Sequence, residues 1–361
     1  MKVCFATLLC FAFAIPAFSQ VTPPNDTPSL KVGIVFFGNY TYTSSPKVED
    51  ANGKTVSPNS FDVTRAYLNF TGNVNHRIEY RITPDIARGT VIGATATLNN
   101  SLLYRIKYAY MQFDLDDWTS DWKQTWVRIG ANPTPLVNWE EDVYRYRFQG
   151  TIFEERTGRL VSSDFGLSFH TSFPKDYGEI HTGVYNGEGY GNAEANSRKA
   201  IQTRVTVRPL ATSPIMDARG LRFTGFYDWD HYVEKDERKR LVFQGLYEHP
   251  HLTAAVDWMD AHDQTNTTSP NIHGHGYSIW ATPIFREKSS GPELLLRWDH
   301  WMPDHSNEAA KQNTVIFGAA YWFPHQGAVT ASLLADEEIV KFPGSGTSTQ
   351  RRTAIHLLIN Y

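Results

Sequence analysis

Cysteine is nearly absent: the two in the chain, Cys4 and Cys10, fall within its first ten residues, so the remainder must be stable without disulfides. Beyond that N-terminal stretch no apolar run reaches the ~20 residues that a membrane-spanning helix needs. The formal net charge is only −4 at pH 7, which gives no reason to expect nucleic acid as a partner. No Gly-rich phosphate loop, helical heptad, G-x-S-x-G or spaced metal-ligand set appears, so no cofactor and no metal is expected. What the chain does have is aromatic side chains, 14% of all residues. Aromatic-rich, polar on average and short of helical spans, it fits a soluble all-β protein or a membrane β-barrel, whose alternating strands hide their hydrophobicity from window averages.

The first residues give the compartment. "MKVCFATLLCFAFAIPAFSQ" offers Lys2 as a basic start, an apolar run from Val3 to Ala14 and the small-x-small site Ala17-Phe18-Ser19. Residues 1–19 are therefore expected to be a cleaved secretory signal, followed by a short segment at 20–30. Cys10 follows Leu8-Leu9 rather than a small residue, which argues against a lipoprotein site.

At the other end, "RTAIHLLINY" alternates between an apolar set and one that is mostly small or polar. Tyr361, Ile359, Leu357, Ile355 and Thr353 form one set, and Asn360, Leu358, His356 and Ala354 the other. A period of two is a strand between two environments. Alone it fits a β-sandwich edge as well as the closing strand of a barrel.

The whole chain decides between them. Alternating segments are predicted near 31–43, 60–72, 75–85, 102–115, 123–131, 163–173, 178–187, 199–208, 219–229, 239–249, 251–262, 273–286, 292–302, 312–323, 326–338 and 350–361, about sixteen strands. Their connections alternate between long, Gly/Pro/Asn/Ser-rich loops and tight turns such as "NVN" and "PKDY", with "LATSPIMDA" as the exception. An up-and-down antiparallel barrel in an outer membrane has this beat, with short periplasmic turns and long external loops. A sandwich has no reason to keep it.

The strand faces agree. Ala66, Leu68 and Phe70 oppose Arg65, Tyr67 and Asn69; Ile78, Tyr80 and Ile82 oppose Arg77, Glu79 and Arg81; Tyr104, Ile106, Tyr108 and Tyr110 oppose Arg105, Lys107 and Ala109. A basic side chain facing lipid at mid-depth costs ~2–4 kcal/mol, so the charged sets must face an aqueous interior. Trp258, Trp298 and Tyr321 on the other face suit an interfacial girdle.

Five pieces now carry a resemblance: "FDVTRAYLNFTGNV", "VRIGANPTP" leading to Trp139-Glu140, "FEERTGRL", "DFGLSFH" and "GVYNGEGYG". In this order and spacing the chain resembles the phosphate-selective porin O and P family of Gram-negative outer membranes over nearly all of the mature chain that follows residues 1–19. The resemblance implies an outer-membrane porin, embedded in lipid, passing small hydrophilic solutes by passive diffusion, and a homotrimer. It also implies that the third external loop, residues 132–162, folds inward as a constriction, bringing Glu140, Glu141, Asp142, Arg145, Arg147, Glu154, Glu155 and Arg156 into the lumen. The terminal Tyr361 resembles the signal read by the barrel-assembly machinery. Two departures stand out: only "VTPPNDTPSLK" precedes the first strand where relatives often carry a coiled coil, and the last residue is Tyr rather than Phe.

Selectivity is read from residues. The inward sets of the second to fifth strands contain Arg65, Arg77, Arg81, Arg105, Lys107 and Arg128 against Glu79, and the eighth adds Arg204 and Arg208. Strands ~4.8 Å apart would merge these into one basic wall. Such a wall favours anions, phosphate among them. The later strands oppose it with Asp228, Asp257, Glu293, Asp299 and Asp336, relieved by Arg222, Arg240 and Arg297, so a general diffusion porin stays open beside the anion reading. A non-conducting envelope scaffold or adhesin is a third reading.

Histidines at His249-Pro250-His251, His273-Gly274-His275 and in the two "WDH" pieces at 229–231 and 298–300 are expected to be polar filling, because nothing in their spacing fixes ligands on one face. His170 beside Ser168 and Ser172 is the one arrangement suggestive of catalysis, and no enzyme is expected.

Overall fold

A computed structural model describes residues 26–361 except 89–100, 120, 195, 232–237, 265–267, 286–289 and 325–328. The expected signal segment, 1–19, lies outside the described residues. Sixteen strands close into one antiparallel barrel: β1 (Lys31–Ser45), β4 (Asn59–Asn75), β5 (Ile78–Arg88), β6 (Leu102–Asp114), β7 (Lys123–Pro133), β8 (Ser163–Ser172), β9 (Gly178–Tyr185), β10 (Ala200–Val207), β11 (Leu221–Asp230), β12 (Arg238–His249), β13 (Leu252–Asp263), β14 (Ile272–Pro283), β15 (Gly291–Met302), β16 (Gln312–Trp322), β17 (Thr330–Lys341) and β18 (Gln350–Asn360). A small hairpin, β2 (Val48–Glu49) and β3 (Thr55–Val56), decorates the first long loop. The all-β, up-and-down barrel of sixteen strands read from the alternation is thus the observed architecture, with most boundaries within a few residues.

Each barrel strand pairs with its sequence neighbour, and β1 pairs with both β4 and β18. The last residue completes the seam. Tyr361 donates its N–H to the Ile34 carbonyl and accepts from the Ile34 N–H, each at 2.8 Å. Connections alternate in length as expected, and the exception holds: between β10 and β11 the short-turn end carries thirteen residues, 208–220, with a 3₁₀ turn at Met216–Gly220.

The outer face is apolar. Val32, Ile129, Phe243, Val256 and Ile355 are each more than half exposed, and nearly every strand contributes a similar residue. A water-soluble surface rarely carries a continuous apolar band of this kind, whereas hydrocarbon requires it. Trp258, Trp298 and Tyr321 project outward as expected.

One face assignment is corrected. Opposite Pro84, which has no N–H to give the ladder, the β5–β6 register slips so that Thr83 pairs with Tyr108 and Pro84 with Ile106. Lys107 is the extra residue of a β-bulge, and it and Tyr108 are both buried inside. Beyond the bulge the phase inverts: Met111 and Phe113 face out, and Tyr108, Tyr110 and Gln112 face the lumen. A single alternation carried through the segment places the tyrosines on the wrong side.

The "GVYNGEGYG" turn after β9 needs its glycine. Gly187 has φ +109°, and a Cβ there would lie 2.8 Å from Asp230 Oδ2. Its N–H donates to Asp164 Oδ2 at 2.7 Å and its carbonyl accepts from Arg238 Nη1 at 2.8 Å, so this loop is tied to two strands through charged side chains.

Deleting Tyr361 removes both seam hydrogen bonds and the outward aromatic ring. The expected result is a large loss of the heat-modifiable, folded form on gel electrophoresis, with Tyr361→Phe retaining it. Normal assembly of the deletion variant would show that the seam does not depend on this residue.

Candidate permeation site inside the barrel

The long connection between β7 and β8 runs back into the barrel. It contains α1 (Val137–Val143) and α2 (Phe153–Arg156). Leu136, Val137, Tyr144, Tyr146, Phe148, Ile152, Phe153 and Leu160 are all at least nine-tenths buried, and their contact surface is the inner wall: Phe226, Val242, Leu246, Met259, Trp280, Leu295, Ile316, Trp322 and Leu334. Tyr144 meets Trp280 edge-on at 5.1 Å, Phe148 meets Trp322 at 6.2 Å and Phe153 meets Trp301 at 6.0 Å. Each such side chain contributes roughly 1.5–3 kcal/mol on burial, so the seat is strong enough to hold a loop of this length.

Polar clamps fix its orientation. Arg145 Nη2 donates to both oxygens of Glu293 at 2.9 and 3.0 Å, and Tyr146 Oη donates to the same carboxylate at 2.9 Å. Gln149 donates to Asp336 at 2.9 Å and Glu338 at 3.1 Å, and Arg156 to Glu338 at 3.0 Å. From the wall, Arg297 donates to the Thr151 carbonyl, Arg240 to that of Arg159, and Arg204 to that of Pro135. Three acidic residues of the later strands therefore hold the loop: Glu293 and Asp336 bind it directly, and Asp299 holds Arg297 at 2.8 Å, while Asp228 and Asp257 are buried in the wall.

What remains open is the side toward β1 and β4–β6. A cavity of about 360 Å³ is lined there by Tyr67, Asn69, Arg81, Lys107, Tyr108 and Asn138, by Glu141, Asp142, Arg145 and Arg147 from the loop, and by Trp322 and Leu358 across from them. Lys107 Nζ lies 3.3 Å from Tyr67 Oη and 4.9 Å from that ring's centre; Arg81 lies 4.5 Å over the Tyr108 ring and donates to Asn69 and Thr83. Among the described residues neither has a carboxylate at ion-pair distance. Arg147, by contrast, is held by Glu141 and by Glu155, the latter at 3.1 Å.

The other basic residues singled out in the sequence separate. Arg65 faces Asp85 at 3.8 Å, Arg105 lies over the Tyr190 ring and donates to its hydroxyl at 2.8 Å, and Arg128 stacks on Trp126 at 3.7 Å and donates to Gln112. Arg77 is not on the wall: it sits in the β4–β5 turn, paired with Asp117 at 2.7 Å. Arg208 lies just past β10, paired with Asp176 at the short-turn end. Arg204 bridges the Pro135 carbonyl of the loop to Glu179, the latter at 2.7 Å, and does not line the cavity. Nothing in spacing distinguishes a lumen arginine from a clamp. Tyr67, which the alternation places inward, lines the cavity though the sequence reading does not single it out; the alternation places Tyr108 outward, and Pro84, a proline inside a strand, is the signal for its true face.

Two loop carboxyls, Glu140 and Glu154, are buried beside Asp257, with their oxygens within 4.8 Å of one another. Burial first, then repulsion from Glu154 and Asp257, raises Glu140 well above the usual carboxylate range; burial raises Glu154 as well. Asp142 on the cavity side is raised to about 6, by burial and then by Glu141.

His170 does not complete a nucleophile. Its Nδ1 meets the Gln124 carbonyl at 2.7 Å and its Nε2 meets Glu179 at 3.3 Å, while Ser168 donates to Asn132 and Ser172 to Gln124.

The family model described as phosphate-selective porin O and P matches residues 41–141, from the outer half of β1 into α1. Over those residues the resemblance to the porin O and P family is borne out. No curated protein sequence matches the chain. Among solved structures, the barrel is similar to OmpF of Salmonella typhi in complex with daunomycin (13% identity, TM-score 0.61, 93% of this chain and 99% of that one). It is similar also to OmpT of Vibrio cholerae in its trimer form (10%, 0.60, 93% and 100%) and to an anion-selective porin from Comamonas acidovorans (11%, 0.60, 92% and 99%). At these identities the likeness is one of fold: the porin barrel of the outer membrane.

The buried carboxyls give a pH test. Because Glu154 has its folded-state pKa raised, the protonated form is the one the loop seat accepts; its full contribution is present below the ordinary carboxylate pKa and is lost as pH rises toward the raised value. Glu154→Gln should raise the thermal midpoint in detergent by a few degrees at pH 8 and leave it nearly unchanged at pH 4. An equal shift at both pH values would refute the titration account.

Proposed function

We propose that this chain is an outer-membrane porin through which small hydrophilic solutes diffuse, with a preference for anions. The observation that carries the preference is the division of the lumen: the inward loop covers the half of the wall that bears Glu293, Asp299 and Asp336, and the cavity it leaves is lined by Arg81 and Lys107, neither of which has a carboxylate at ion-pair distance among the described residues. Cations held this way favour the entry of an anion. Glu141 and Asp142 line the same cavity, so the preference is a bias within a general channel and not exclusion of other solutes. The raised Asp142 weakens that opposition below about pH 6.

The rest of the reading follows the family and the fold. Residues 1–19 would be removed on export, and Tyr361 would be read by the barrel-assembly machinery. A homotrimer embedded in lipid is inferred, since OmpT of Vibrio cholerae was solved as a trimer. Phosphate is one anion the guanidinium and ammonium pair would suit. The engaged partners of Ser168, His170 and Ser172 favour a channel over a hydrolase.

The test is reversal potential in a planar bilayer under a KCl gradient, with and without added phosphate. Anion selectivity is expected, reduced several-fold in Arg81→Gln/Lys107→Gln and increased on going from pH 7.5 to 5. Cation selectivity, or selectivity untouched by the double substitution, would overturn the preference; absence of any conductance would overturn the porin.

A further inference from the structure

The histidine pairs that spacing alone left as polar filling converge on the outside of the barrel. On β13 the buried inward residues are Ala261 and Asp263, so Asp260 and His262 face out; on β14 they are Gly274 and Gly276, so His273 and His275 face out. Two residues apart along a strand is the same face, which corrects the expectation that His-Gly-His fixes nothing. The register then sets the two strands' pairs against each other: His262 opposite His273 and Asp260 opposite His275.

The side chains close on one point. The His262 and His273 rings stack with centres 3.9 Å apart, and their Nε2 atoms approach the two oxygens of one carboxylate, Asp260 Oδ1 at 3.2 Å and Oδ2 at 2.7 Å. These three ligand-bearing groups lie within 4.8 Å of one another. His305, in the loop after β15, donates its backbone N–H to the His273 carbonyl at 2.8 Å and lays its ring 4.7 Å from that of His273 and 4.2 Å from that of His275. His275 Nδ1 is buried without a partner.

We propose that Asp260, His262 and His273 form a binding site for a divalent transition metal of the zinc class on the outer wall of the barrel, with the His305 ring packed beside His273. Two imidazole nitrogens and a carboxylate oxygen are a donor set for zinc-like ions, whereas calcium and magnesium require oxygen-rich sites. The place also suits a metal. On β13 the site follows Trp258 on the same face, putting it beyond the aromatic belt toward the long-loop end, where headgroups and water replace hydrocarbon. Bound there, the ion would join β13 and β14. This site lies on the opposite side of the wall from the cavity and does not depend on the channel reading.

The experiment uses untagged, chelator-treated protein in detergent, titrated with Co²⁺ and followed by its visible absorption, with Zn²⁺ as competitor. One equivalent of Co²⁺ with the intense bands of a tetrahedral site, displaced by Zn²⁺, is expected. Binding should weaken by roughly tenfold or more in His262→Ala, in His273→Ala and in Asp260→Asn, and persist in His249→Ala at the other end of the barrel. Heat-modifiable migration and conductance should stay as in the parent, which separates ligand loss from misfolding. No saturable Co²⁺ signal, a signal that survives the His262/His273 double substitution, or one lost equally in His249→Ala would overturn the site.

Discussion

In hydrocarbon no backbone donor or acceptor can be left to water, and every feature of this molecule follows from meeting that condition with strands. The seam between β1 and β18 is where it is met last. Once Tyr361 and Ile34 exchange their hydrogen bonds the sheet has no edge, each strand has one face in lipid and one in the lumen, and a period of two becomes a sorting rule for side chains. The apolar outer band, the aromatic residues at its margins and the charged interior are consequences of closure, not separate devices.

Closure also creates an interior too wide for wall side chains to fill, and the chain answers with its own loop. The seat is asymmetric because the inward faces of β11–β18 are partly apolar, with Phe226, Met259, Trp280, Leu295 and Leu334, while those of β4–β7 carry arginine, lysine, tyrosine and amide. The loop segregates accordingly. Its aromatics leave water against the first set, where Arg145 also binds Glu293, and its charged residues Glu141, Asp142 and Arg147 turn to the second. Charge census alone would call the lumen balanced; position decides, because the later strands' acids face protein and not the passage.

Fold was legible in the sequence because alternation and loop length report directly on environment. The strand count, the long-short beat and the outward Trp258, Trp298 and Tyr321 needed no partner information. The site was less legible, for two physical reasons. A clamp and a pore residue are the same amino acid: Arg204 and Arg81 both face inward, and only the loop's path separates them. And alternation fails silently at a bulge, so the inversion at Lys107 moved Tyr108 and Tyr110 across the sheet with Pro84 as its one mark. The paired histidines failed differently: their shared face was implied by strand spacing, but the strand-to-strand register that brings His262 to His273 is written in no local segment.

The bulge does more than displace tyrosines. By turning Lys107 and Tyr108 inward together, it gives a buried ammonium two aromatic faces and a phenol oxygen in place of a carboxylate. Such partners stabilise a cation without neutralising it. A carboxylate at the same place would hold the charge in a closed pair, as Glu293 does with Arg145, and leave nothing for a solute. Cations solvated by aromatic rings and amides keep their field directed into the cavity. On the anion preference proposed above, an arriving anion would supply the interaction the wall withholds, and it could leave again because no carboxylate-like closed pair holds it. That balance, favourable entry without tight retention, is what conduction requires of a wall.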